Sequence, residues 1–164
     1  MSRSSSTNAT GPQPELTIEQ SSWRDYQDQL DFFVKAPFLL LQAALPGMRR
    51  LGGGAVVNIG SEVVYRGAAP FATYVAAKAA VIGLTRSWAT ELGRDGVRVN
   101  LVAPGWIPVE RHDGVDTGGY AAQVPLGRTG TPEEIADAVA FLAGDGASFI
   151  TGQCLTVNGG LTFE

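Results

Sequence analysis

Hydrophobic positions along this chain alternate between a helical spacing and short apolar runs. Between Trp23 and Arg50, Leu30, Phe33, Val34, Phe38, Leu41 and Leu45 recur mostly every three or four residues. That period places them on one face of a helix, which Ser21 or Ser22 caps and which runs to about Arg50. Pro37 lies inside it, removes one backbone hydrogen bond and is expected to bend it. Gly52-Gly53-Gly54 then breaks the pattern ahead of the apolar run Ala55 to Ile59, which reads as a strand buried on both faces of a parallel sheet. The glycines precede that strand, so they read as a helix-to-strand connection. A second helix is expected from about Phe71 to Leu92, ended by Gly93 and Gly96. A strand from Val97 to Val102, a long irregular loop from Ala103 to Gln123, a helix opening at Thr131-Pro132-Glu133 and running to Ala143, and a strand near Cys154 to Val157 complete the pattern. Strands alternating with helices predict an α/β fold with a parallel sheet. Residues 1–14 are rich in Ser, Thr, Asn, Gly and Pro, cannot pack a core, and are expected as a flexible segment preceding one domain over 15–164.

Composition narrows the classes. The chain has 164 residues, 45% of them hydrophobic and 17% charged, enough to bury a core. A net charge of −4 and a pI near 5.0 leave no basic stripe for nucleic acid. No uninterrupted apolar run approaches the roughly 18 residues that span a bilayer, and the start Met-Ser-Arg-Ser-Ser-Ser-Thr lacks the apolar stretch of a secretory signal. A cytoplasmic location without a membrane partner is the expectation. Cys154 is the single cysteine and reads as a buried strand thiol, and His112 as a loop histidine; no residues stand at metal-ligand spacing.

The chemistry is concentrated in two stretches. Tyr74 and Lys78 stand four residues apart, so a phenol and an ammonium share one helix face. Ser61 stands thirteen residues before the tyrosine, at the end of the strand Ala55 to Ile59. On these residues alone, an amphipathic pair and a strand-end cap would account for the pattern better than a proton-transfer site would. Five ordered blocks decide between them: Asn58-Ile-Gly-Ser61, Tyr74-Val-Ala-Ala-Lys78, Val99-Asn-Leu-Val-Ala-Pro-Gly105, Leu126-Gly-Arg-Thr-Gly-Thr-Pro-Glu-Glu-Ile135, and Phe149-Ile-Thr-Gly-Gln153 followed by Val157-Asn-Gly-Gly160. Over roughly residues 15 to 160 they resemble the short-chain dehydrogenase/reductase family, and particularly its 3-oxoacyl-(acyl carrier protein) reductase-like members.

The resemblance implies the carboxyl-terminal part of a Rossmann-like, doubly wound parallel sheet, with the first strands and their glycine-rich phosphate turn missing from an N-terminally truncated chain. It implies an NAD- or NADP-dependent oxidoreductase that interconverts a ketone, such as a 3-oxoacyl group, and a secondary alcohol. Tyr74 would be the acid or base, Lys78 would lower the phenol's pKa and bind the nicotinamide ribose, and Ser61 would hold the substrate oxygen. Asn8, in Asn8-Ala9-Thr10-Gly11, resembles the tail of a cofactor-bordering turn. Pro104, Gly105 and Ile107 match the turn that meets the nicotinamide carboxamide, while Val109 stands where many members place a threonine. Trp106, Glu110, Arg111 and His112 belong to the substrate loop, whose stretch Glu110 to Gln123 is expected as a lid. Phe33 falls where the family usually has an asparagine that organises a proton-relay water; either the relay is lost or this branch manages without it. Helices 23–50 and 71–92 match a homo-oligomer interface. A second reading keeps that interface and discards catalysis, making the chain an inactive subunit-interaction module.

Overall fold

Four parallel strands lie side by side in chain order: β1 (Ser4–Thr7), β2 (Gly54–Ile59), β3 (Val97–Pro104) and β4 (Cys154–Val157). The computed structural model describes the backbone of residues 4–7, and residues 13–110 and 114–163 with their side chains. Gly54 pairs with Val97 and Ile59 with Val102, while Leu101 opposes Cys154. Val57, Val99, Leu101 and Val102 are essentially inaccessible, as a sheet covered on both faces requires. The α/β parallel architecture expected from the pattern is the one observed.

The flexible segment expected over 1–14 is corrected at Ser4–Thr7, which pair in register with Ala55–Asn58. A run of three serines and a threonine carries no hydrophobic signal. Strand pairing, however, is made by backbone groups, and the second edge of β2 needs partners for its own.

One continuous helix spans Trp23–Arg50. It comprises α1 (Trp23–Leu30), a wider π segment over Asp31–Lys35, and α2 (Ala36–Arg50). Ser22 starts it, its backbone N–H and hydroxyl both donating to the Asp25 carboxylate at 2.8 and 2.6 Å. The bend expected at Pro37 takes the form of that π segment. Pro37 lacks an N–H, and its ring would press on the carbonyl four residues back, at Phe33; widening the turn accommodates both. The same helix contains an 18-residue window of mean hydropathy 1.2, long and apolar enough by length and composition alone to cross a bilayer.

A short turn of helix, α3 (Val63–Arg66), precedes α4 (Ala72–Leu92), which packs on α1 and on β3. Gly53 and Gly96 bring the starts of β2 and β3 together. A Cβ on Gly53 would meet the Gly96 carbonyl oxygen at 2.5 Å, so the glycine cluster is a strand-to-strand contact with no room for a phosphate. β3 runs two residues beyond the expected Val102, because Ala103 and Pro104 pair with Thr156 and Val157. The loop expected to be irregular from Ala103 to Gln123 therefore starts later, and it contains α5 (Gly118–Ala121). The last helix is α6 (Pro132–Ala143), capped by Thr131 and by Glu134, whose carboxylate the Arg128 guanidinium holds down to a pKa of about 2.

Asn100, buried in β3, fastens β4 to the sheet. Its amide donates to Ile150 O at 2.8 Å and accepts from the Gln153 N–H at 3.1 Å. Asn100→Ala removes this partner from two partly buried backbone groups, an expected loss of about 1 to 3 kcal/mol in urea denaturation.

Candidate active site

β2 delivers its carboxyl end into the site. Ile59, its last residue, presents a carbonyl, and Ser61 follows two residues later, half-buried, with its Oγ 3.5 Å from the Val63 N–H at the start of α3. α4 crosses this strand end with Tyr74 and Lys78 on one face. Lys78 is 4% exposed, donates to Ile59 O at 2.8 Å, and lies 5.7 Å from the centre of the Tyr74 ring. The expected tyrosine–lysine pair is thus brought together beside the strand end that carries Ser61. Burial disfavours the ammonium and lowers the Lys78 pKa to about 8.

Phe33 completes the arrangement from the π segment. Its ring face lies 4.2 Å from Lys78 Nζ, and it meets the Tyr74 ring edge to face at 5.3 Å between centres. Beneath the site, Phe33, Ala77, Val81, Leu101 and Ala103 form one buried cluster, with Tyr74 and the half-buried Cys154 packed against it. Cys154 is less enclosed than the expected buried thiol.

The turn after β3 holds the second wall. Trp106 donates its backbone N–H to the Tyr120 hydroxyl at 2.7 Å, and the two rings meet edge to face at 5.5 Å. Burial raises the Tyr120 pKa, with the neighbouring Glu62 carboxylate adding to the rise. Glu62 is buried next to Ser61 and takes two hydrogen bonds from Arg66, at 2.7 and 2.9 Å. Glu62, Arg66 and Tyr120 were not singled out by sequence reasoning. The i, i+4 spacing of Glu62 and Arg66 was readable as an ion pair; the third partner, across a glycine-rich loop, was not. Gly105 lies beneath, where a Cβ would meet Tyr120 Oη at 2.6 Å. Pro104 and Ile107 are half-buried on this turn, and Val109 and Glu110 are exposed beyond it. Asn8, Arg111 and His112 lie outside the described residues.

A cavity of about 360 Å³ opens elsewhere, along the end of β4 and the start of α6, lined in part by Arg128, Glu134 and Asn158. None of Ser61, Tyr74 and Lys78 lines it. Its charged pair, Arg128 and Glu134, is satisfied internally.

Residues 6–162 match the profile of the family described as enoyl-(acyl carrier protein) reductase. The chain belongs to the short-chain dehydrogenase/reductase family. It is 44% identical over 149 residues to the 3-oxoacyl-[acyl-carrier-protein] reductase FabG of Vibrio cholerae, an alignment covering 89% of this chain and 60% of that protein. It is 45% identical over 143 residues to the (2S)-[(R)-hydroxy(phenyl)methyl]succinyl-CoA dehydrogenase subunit BbsC of Thauera aromatica, covering 87% and 57% respectively. Among solved structures, a blue fluorescent protein from a metagenomic library, in complex with NADPH, superposes with a TM-score of 0.89 at 35% identity, covering 98% of this chain and 65% of that one. The chain therefore spans between 57% and 60% of the length of these two curated relatives.

The residues present fit one end of a nicotinamide cofactor. Lys78 has three N–H donors and spends one on Ile59, leaving two for hydroxyl acceptors such as those of a ribose. The pyrophosphate end finds no counterpart among the described residues, since Gly52 to Gly54 pack against Gly96.

The depressed lysine pKa has a consequence for stability. An unfolded lysine titrates near 10.4. Between pH 8 and that value the unfolded chain holds a proton the folded chain has released, so stability gains from rising pH across this window. The gain from Lys78 is expected to be about 2 kcal/mol between pH 7.5 and 9.5, and Lys78→Met should flatten it. Urea titrations of both chains at pH 7.5 and 9.5 measure the difference.

Proposed function

We propose that this chain carries the proton-transfer half of a nicotinamide-dependent oxidoreductase acting on a ketone or secondary alcohol, with 3-oxoacyl thioesters the substrate class. The observation that carries the reading is a buried lysine fixed to the strand end that presents Ser61, directly beside a tyrosine. Ser61 Oγ donates to the substrate carbonyl oxygen and holds it toward Tyr74 Oη. In reduction, Tyr74 gives its proton to that oxygen as negative charge develops there; in oxidation it takes the alcohol proton. Lys78 supplies the positive charge that makes the phenolate accessible, and its free N–H donors orient the ribose. The hydride is what a bound NADH or NADPH supplies. Pro104, Gly105 and Ile107 would meet the carboxamide of a bound nicotinamide, and Trp106 and Glu110 would border the substrate, a role the resemblance also gives to Arg111 and His112 outside the described residues. The names of the relatives from Vibrio cholerae and Thauera aromatica, both acyl-thioester redox enzymes, support this substrate class.

A second reading, an inactive module for subunit association, is favoured by one feature. Phe38, Leu39 and Leu40 on α2 are 45 to 56% exposed in a row. We assign this face to another subunit, with the helices 23–50 and 71–92 as the homo-oligomer interface, and the protein to the aqueous cytoplasm. A membrane span fits poorly, because Phe33 in the middle of the helix is buried against Lys78.

Spectrophotometric assay of the purified chain with NADH or NADPH and a 3-oxoacyl thioester tests the catalytic reading. Tyr74→Phe should lower kcat/KM by about 10²- to 10⁴-fold without moving Tm. Wild-type rates in that variant would remove Tyr74 from the chemistry. A cofactor titration with no saturable signal, from a chain that light scattering shows to be oligomeric, would favour the association module.

A further inference from the structure

Lys78 is held from two sides. One N–H goes to Ile59 O at the end of β2, and on the side turned toward the long helix the ammonium meets the face of Phe33 at 4.2 Å. Phe33 is itself 4% exposed, so it and Lys78 are both closed to bulk solvent. A bridging water needs two to four polar partners, and a phenyl ring has no hydrogen-bonding side-chain atoms to offer. What the ring does offer is the negative face of its quadrupole, which attracts a cation within about 6 Å, most strongly where water is excluded. The π segment makes the contact possible, because the widened turn over Asp31–Lys35 is the stretch that carries Phe33 into the interior.

Among the described residues, no charged group on the packed elements substitutes for this interaction. The titratable group facing Lys78 from its own helix is the Tyr74 phenol. β2 presents the Ile59 carbonyl. On the π segment, Asp31 and Lys35 form an exposed ion pair with each other at 3.5 Å. Glu62, next to Ser61, is committed to Arg66.

We propose that Phe33 is a positioning residue for the Tyr74–Lys78 pair: its ring face holds the Lys78 ammonium against the end of β2 and seals the pair on the long-helix side. The proposal rests on reading Tyr74 and Lys78 as the proton-transfer pair, but its test needs no turnover. Where a polar side chain at position 33 would solvate the ammonium, an aromatic ring keeps it dry and favours its charged form through the π face alone.

The chain contains two lysines, Lys35 and Lys78, so NMR of ¹³C- and ¹⁵N-labelled lysine side chains reads each titration separately. Phe33 is replaced site-specifically by pentafluorophenylalanine, which keeps a ring of similar shape and reverses its quadrupole. The Lys78 midpoint should fall by about one pH unit, with Lys35 unmoved. Phe33→Tyr keeps the ring face and should leave Lys78 at its wild-type midpoint, while Phe33→Asn admits polar contacts and should raise it toward the ordinary lysine value. An unchanged Lys78 midpoint in the fluorinated chain would overturn the proposal. Failure of the proton-transfer reading looks different: a Lys78 that responds to Phe33 in a protein whose Tyr74→Phe variant keeps wild-type turnover.

Discussion

A lysine buried at the end of a parallel strand is the constraint around which the site is built. An ammonium taken out of water is costly unless it is paired or hydrogen-bonded, and Lys78 has no carboxylate among its partners in the described residues. It is stabilised by a carbonyl dipole and two aromatic faces, and its pKa falls to about 8. That fall is the effect of burial, which disfavours the charged form. Burying this ammonium destabilises the fold at neutral pH, and perturbed ionisable groups of this kind cluster at functional positions.

The rest of the fold supplies fixed positions for this pair. β2 and β3 are the most enclosed strands, and their carboxyl ends carry Ser61 and the Pro104–Ile107 turn, which is where ligands of open α/β sheets bind. α4 sets the spacing of Tyr74 and Lys78 by its pitch alone. The long helix contributes through a defect: the π segment ahead of Pro37 turns Phe33 inward. On the opposite wall, Glu62 and Arg66 tie the loop after Ser61 to Tyr120, and Tyr120 ties α5 to the turn after β3.

Much of this was legible from residues. The two long helices and β2 begin and end within a residue or two of where periodicity and capping put them, because each is bounded by a serine cap or by glycines that admit few alternatives. The Tyr74–Lys78 pair was legible because a helix converts four residues of spacing into proximity. β1 was not, since its pairing is made by backbone groups that polar side chains do not advertise. The contact of Phe33 with Lys78 was also hidden. A helical pattern read at 3.6 residues per turn contains no sign of a widened turn, and residue 33 could be recognised as unusual only by comparison with a family. The link from Glu62 to Tyr120 depends on a loop conformation that no periodicity encodes.

The central claim is that Lys78 governs the ionisation of Tyr74. Ultraviolet absorbance of phenolate, followed against pH in the wild-type chain and in Lys78→Met, tests it directly. Tyr74→Phe subtracts the contribution of the other three tyrosines. The account predicts that the Tyr74 phenolate forms at lower pH when Lys78 is present, because an adjacent cation favours it. Superimposable Tyr74 titrations with and without Lys78 would contradict it.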